Sequence, residues 1–235
     1  MTRDLDKWFD LNIDTDTRTI YMGSTGYLGD ESETGVDHSM AAYLIKGMHT
    51  LESKNMKPIV IIMNNPGGDW YHGMAIYDAI KSSTCHCTIK VYGHAMSMGS
   101  VILQAADVRV MMPSSRFMIH YGTDGKYSHA KIAYKWADEG KRVNYEMENI
   151  YLERMLNYEE EHGIKLESAL EKIVNRDNEF EYQKKAPVKY KFATKRDVRK
   201  EEMRLVLVQL LNYDTILRPE ETISIGLADS IYSAE

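Results

Sequence analysis

Three short stretches carry residue types suited to acyl-transfer chemistry. The first is Gly93-His94-Ala95-Met96-Ser97-Met98-Gly99, which follows a β-rich run at 88–92 and opens a helix-forming run at 98–107. A serine at a strand-to-helix junction lies among backbone N–H groups that lack intrahelical partners and can hold an anion. Acyl transfer needs that pairing, a hydroxyl nucleophile beside donors for the oxygen that becomes negative. A small-Ser-small turn can equally be a plain helix cap, so Ser97 alone leaves both readings open. The second stretch is the apolar run 59–63 ending in Asn64-Asn65-Pro66-Gly67-Gly68. Paired glycines there allow backbone N–H groups to approach a ligand without a Cβ in the way, although an isolated Pro-Gly-Gly is also a tight turn. The third, Ser115-Arg116-Phe117-Met118-Ile119-His120-Tyr121-Gly122, reads as a short strand that delivers His120 at its end.

These stretches must be placed by regular elements, and the periodicity supplies them. A strand is expected at 18–22, then a polar loop over 23–35. Asp37 or Ser39 caps a helix running to Glu52, with Met40, Tyr43, Leu44, Met48 and Leu51 on one face. A strand at 58–63 and a helix at 71–82 follow. Repeated strand–helix units predict a mostly parallel sheet with right-handed crossovers. From Ser128 the pattern becomes one long helix: Ile132, Trp136, Val143, Met147, Ile150, Tyr151, Met155 and Tyr158 recur at helical spacing, and Gly163 supplies the stop.

Composition bounds the class. A 235-residue chain that is 43% hydrophobic can bury one sizeable core, and a single domain is the default reading. The net charge of -6 makes no case for nucleic acid. Cys85-His86-Cys87 has no second ligand pair and reads as two thiols, not a zinc site. The N-terminal residues lack an apolar signal core and no run reaches membrane-spanning length, which predicts a soluble intracellular protein.

Taken together, the motifs resemble the ClpP family, the proteolytic subunit of the Clp protease. Asn64 through Gly68, then 73–80, then Gly93 through Gly99, then 115–120 follow that family in order and spacing. The segment 217–231, with Gly226-Leu227-Ala228-Asp229, resembles the family's closing segment. The resemblance implies an α/β fold, a ClpP/crotonase-like spiral of repeated β-β-α units with a protruding handle helix at about 128–162, in a single serine protease domain over 1–235. It further implies Ser97 as nucleophile, His120 as general base and Asp214 as the acid, with the backbone N–H groups of Gly68 and Met98 as the oxyanion hole, and no metal or cofactor. The expected activity is serine endopeptidase action on unfolded or short polypeptides inside a homo-oligomeric ring, a heptamer or double heptamer, in the cytoplasm. An AAA+ unfoldase is the further partner such a family brings, and neither membrane nor nucleic acid is expected. The chain order Ser, His, Asp differs from the Ser, Asp, His order of α/β-hydrolases. Two alternatives are a non-catalytic ring subunit and a crotonase-type acyl-CoA enzyme, which would not need Ser97 and His120 in protease order.

The chain departs from the family in three places. The N-terminus is short and acidic, and the strand before Pro66 carries no tyrosine, both of which bear on docking of a Clp ATPase. The third departure is an inserted basic segment at about 178–204, which sets His120 and Asp214 94 positions apart (214 − 120). Residues 184–200 hold eight Lys or Arg and one Asp. Residues 188–192 alternate as a strand would, and Thr194 caps a helix running through Leu211. The insertion reads either as a solvated hairpin and helix or as a docking element for acidic partners. It also leaves Asp177 as a rival to Asp214 for the acid.

Overall fold

Residues 59–65 and 87–91 alternate buried and half-buried positions, the period-two pattern of strands packed on both faces of a sheet to unequal depth. In the computed structural model, which describes residues 8, 11–23, 35–122, 129–176 and 194–233, they are the two central strands of a mixed sheet. The strands are β1 (Ile13–Asp14), β2 (Thr19–Met22), β3 (Ile59–Asn65), β4 (Cys87–Met96), β5 (Val108–Met111), β6 (Arg116–Ile119), β7 (Thr215–Leu217) and β8 (Ser230–Ile231). The helices are α1 (His38–Lys54), α2 (Trp70–Lys81), α3 (Met98–Leu103), α4 (Ala130–His162), α5 (Glu167–Arg176), α6 (Lys195–Leu211) and α7 (Pro219–Ser224).

The chain forms two compact units. The first takes residues up to 118 with 216–220 and 228–235. Its strands β2, β3, β4, β5 and β8 pair in that order and in parallel, with β1 antiparallel at the edge. Parallel neighbours require crossover connections, which α1 and α2 supply. The apolar face of α1, with Met40, Leu44, Met48 and Leu51, is buried, and the Asp37 carboxylate accepts from the Met40 N–H to cap it. Strand β4 is longer than sequence periodicity indicates because it serves two partners. Residues 88–91 pair β5, and His94, Ala95 and Met96 pair Arg116, Phe117 and Met118 of β6. Between the two halves Gly93 takes φ 70°, where a Cβ would press on the Asn64 side chain.

The second unit, residues 119–215 and 221–227, is helical. The expected long helix is α4, 33 residues ending at Gly163 in the left-handed conformation (φ 63°). Its apolar stripe divides along its length. Met147, Tyr151, Leu152, Met155 and Leu156 are buried with Leu170 and Ile173 of α5 and Met203, Leu207 and Leu210 of α6, whereas Ile132 and Tyr134 stand in solvent. Helix α6 begins at Thr194 with a capping box, the Thr194 hydroxyl and the Asp197 carboxylate each serving the other's backbone N–H. The strand expected at 188–192 and the rival acid Asp177 lie outside the described residues. No described helix is long and apolar enough to cross a membrane.

Candidate active site

Ser97 stands at the end of β4 with φ 50° and ψ −124°, a backbone conformation that costs a non-glycine residue about 1–3 kcal/mol. It is the N-cap of α3, yet its side chain makes no capping hydrogen bond. A serine present only to cap would turn its hydroxyl onto the helix. The Ser97 N–H donates to the Met118 carbonyl at 3.0 Å, so strand pairing fixes the turn. Sharp strand–serine–helix turns of this kind hold a nucleophile's hydroxyl clear of its own backbone.

Gly67 and Gly68 have φ of 105° and 141°. A Cβ on Gly67 would lie 2.5 Å from the Ser97 Cβ, so only glycine lets this turn close on the serine. A Cβ on Gly68 would collide with the Val36 backbone, and the two neighbouring backbone bonds explain why. Val36 N–H donates to the Gly67 carbonyl at 2.6 Å, and Asp69 N–H donates to the Val36 carbonyl at 2.8 Å. Asn65, fully buried, accepts from the Gly67 N–H at 2.9 Å and holds the turn from within. Met98 is the first residue of α3, so its N–H has no intrahelical partner.

In the second unit the His120 Nδ1 lies 2.7 Å from the Asp214 Oδ1. The ring is mostly buried, 19% exposed, and the carboxylate is 72% exposed. The backbone on either side is pinned to the end of α6. Tyr121 N–H donates to the Leu211 carbonyl at 2.7 Å, and the Thr215 hydroxyl donates to the Leu210 carbonyl at 2.6 Å. Such a pair can hold one imidazole tautomer and support the imidazolium that forms when the other nitrogen takes a proton.

The two cysteines are free and buried, and burial pushes the Cys87 thiol up to about 11. A thiol held protonated there is a poor nucleophile or metal ligand. Four of the described basic residues of the insertion pair with carboxylates of the same unit. Arg196 meets Glu153 and Glu160, Arg199 meets Glu159, Glu167 and Glu202, Lys200 meets Glu153, and Arg204 meets Glu148 and Glu201. Arg199, Lys200 and Arg204 are mostly withdrawn from solvent, and Arg196 lies at the edge of the same cluster. The pairs with Glu148, Glu153, Glu159 and Glu160 run from α6 to α4.

Sequence reasoning missed Asn65, although its place just before Pro66 was a usable signal. It also missed Tyr121, Glu148 and Arg204, which are far apart in the chain and carry no common motif.

Residues 31–183 match the family model described as Clp protease. That span takes in Gly68, Ser97 and His120 and stops short of Asp214. The ATP-dependent Clp protease proteolytic subunit of Deinococcus radiodurans is 40% identical over 95 residues, 39% of this chain and 47% of the relative. Subunit 2 of the same protease from Prochlorococcus marinus (strain MIT 9312) is 37% identical over 101 residues, 42% of this chain and 48% of the relative. Subunit 2 from Pseudomonas aeruginosa is 31% identical over 121 residues, 51% of this chain and 60% of the relative. The chain thus spans about half the length of the curated relatives it matches.

Proposed function

The chain belongs to the Clp protease family, and from that premise we propose that it is a serine endopeptidase whose nucleophile is Ser97. The observation that carries this reading is the strained, non-capping Ser97 set against the Gly67–Gly68 turn. His120 takes the serine proton as the hydroxyl attacks a peptide carbonyl, then delivers it to the leaving amine. Asp214 orients the ring through Nδ1. The N–H groups of Gly68 and Met98 receive the tetrahedral oxyanion, each such donor contributing about 3 kcal/mol. Water then repeats the sequence on the acyl-enzyme, with His120 again as base.

The whole chain acts as one ClpP-like catalytic domain, in closed homo-oligomeric rings of seven subunits, singly or as a stacked pair, that admit unfolded or short polypeptides. Its place is the cytoplasm. The relatives' names call them ATP-dependent, and these 235 residues contain no Gly-x-x-x-x-Gly-Lys-Ser/Thr, so nucleotide hydrolysis would fall to a separate unfoldase. The test is hydrolysis of an unfolded protein and a short fluorogenic peptide by wild type and Ser97→Ala. Wild type cleaves both, and Ser97→Ala cleaves neither while keeping its fold and assembly state. Continued cleavage by purified Ser97→Ala overturns the assignment.

A further inference from the structure

Resting on the protease reading above, we infer that Tyr121, held by a buried Glu148–Arg204 pair, is a positioning residue that sets His120 against Asp214. The His120–Asp214 contact does not lock itself in place. An ion pair with a carboxylate 72% exposed gains little against solvent and the mobility of its side chains. The backbone on each side of it is held, and both sides converge on the last turn of α6.

Tyr121, the residue after the base, is tied there twice. Its N–H donates to the Leu211 carbonyl at 2.7 Å, and its hydroxyl donates to Glu148 Oε1 of α4 at 2.6 Å. The other oxygen of Glu148 accepts from Arg204 Nη1 at 2.5 Å, and Arg204 lies about two turns before Leu211 in α6. Arg204 also donates to Asn149 at 2.8 Å and stacks 4.5 Å over the Tyr145 ring. The Glu148 and Arg204 side chains are 10% and 11% exposed, so this is a nearly dry charge pair with further hydrogen bonds at both ends. Burial and the adjacent carboxylate push the Tyr121 phenol well above its ordinary value, so it donates at any working pH. The inserted helix thereby holds the base side and the acid side of one contact in a common frame, where a displacement of 1 Å costs about 100-fold in rate.

The experiment uses the full chain, a fluorogenic peptide, and a fluorophosphonate to count reactive Ser97. Tyr121→Phe removes one hydroxyl and leaves the ring. The expected result is a fall of about 10-fold or more in kcat per labelled serine, with KM within about twofold of wild type. Arg204→Met should do the same, and the double variant should cost no more than the worse single variant, because both act along one path. Unchanged kcat per labelled serine in Tyr121→Phe, losses that appear only in KM, or additive losses in the double variant overturn the inference and leave the protease reading intact. Should Arg204→Met fail to fold, Tyr121→Phe decides alone. A wild-type chain that neither cleaves peptide nor labels overturns the protease reading, and this inference with it.

Discussion

In the proposed mechanism the Asp214 carboxylate, mostly in water and 2.7 Å from His120 Nδ1, contributes orientation and charge, not burial energy. Asp214→Asn keeps the size and loses the charge, and its amide can present an N–H to Nδ1 and so favour the wrong tautomer. The expected outcome is a drop in peptide turnover of about 10⁴-fold with the thermal midpoint unchanged, checked by steady-state kinetics beside a melting curve. Wild-type turnover in Asp214→Asn would remove Asp214 from the mechanism. At this scale the sequence was legible where chemistry is local. Ser97, His120 and the glycine pair announce themselves by residue type beside a strand end. The left-handed backbone of Ser97 was not legible, since nothing in Ala95-Met96-Ser97 demands it. It follows from the Ser97–Met118 hydrogen bond and the close approach of Gly67. The spacing of Asp214 to the segment 226–229 favours it over its rival Asp177, and Asp177 lies outside the described residues.

Among the elements, the pairing of α4 with α6 is both apolar and ionic. Burial alone would raise the Glu159 carboxyl. The Arg199 guanidinium, the Leu166 N–H and the surrounding positive charge outweigh it and hold the group below its ordinary 4.5. A carboxylate whose folded value is depressed stabilises the fold fully above its unfolded value and loses that contribution as pH falls through the folded one. The stability gap between wild type and Glu159→Gln should therefore stay constant from neutral pH down to about 4.5 and shrink below it, as read from chemical denaturation at a series of pH values. A gap that widens on acidification would contradict the pairing. Helix ends were legible where a cap marks them: Asp37, Thr194 and Gly163 all stand where local chemistry places them. Helix α5 went unread, and α3 stops at Leu103, short of the expected Asp107, because the chain there turns in to pair β5 with β4. The basic run suggested a free charged surface because the eight cations are adjacent in sequence. Those described to have partners on α4 and α5 find them 32 to 47 residues away, a pairing visible only once the helices pack.

For the whole molecule, the outer half of α4 carries the argument for assembly. Ile132, Tyr134 and Tyr145 are 49%, 74% and 56% exposed on a helix whose other half is core. Large apolar side chains left in solvent on a long helix favour association, and closed symmetric rings satisfy such contacts without open-ended growth. Light scattering on the purified chain should give a multiple of 27.1 kDa corresponding to one or two rings. A stable 27.1 kDa species with full peptidase activity would contradict the ring. The alternation of strands and helices was legible from periodicity, whereas the ring rests on the family and on this exposed face.

The central claim, that Ser97 is an activated nucleophile, is tested most directly by fluorophosphonate labelling followed by mass spectrometric mapping of the modified residue. The account predicts a single adduct on Ser97 in the wild-type chain, absent from Ser97→Ala and strongly slowed in His120→Ala. No adduct on the folded wild-type chain, or an adduct on another residue that persists in Ser97→Ala, would contradict it.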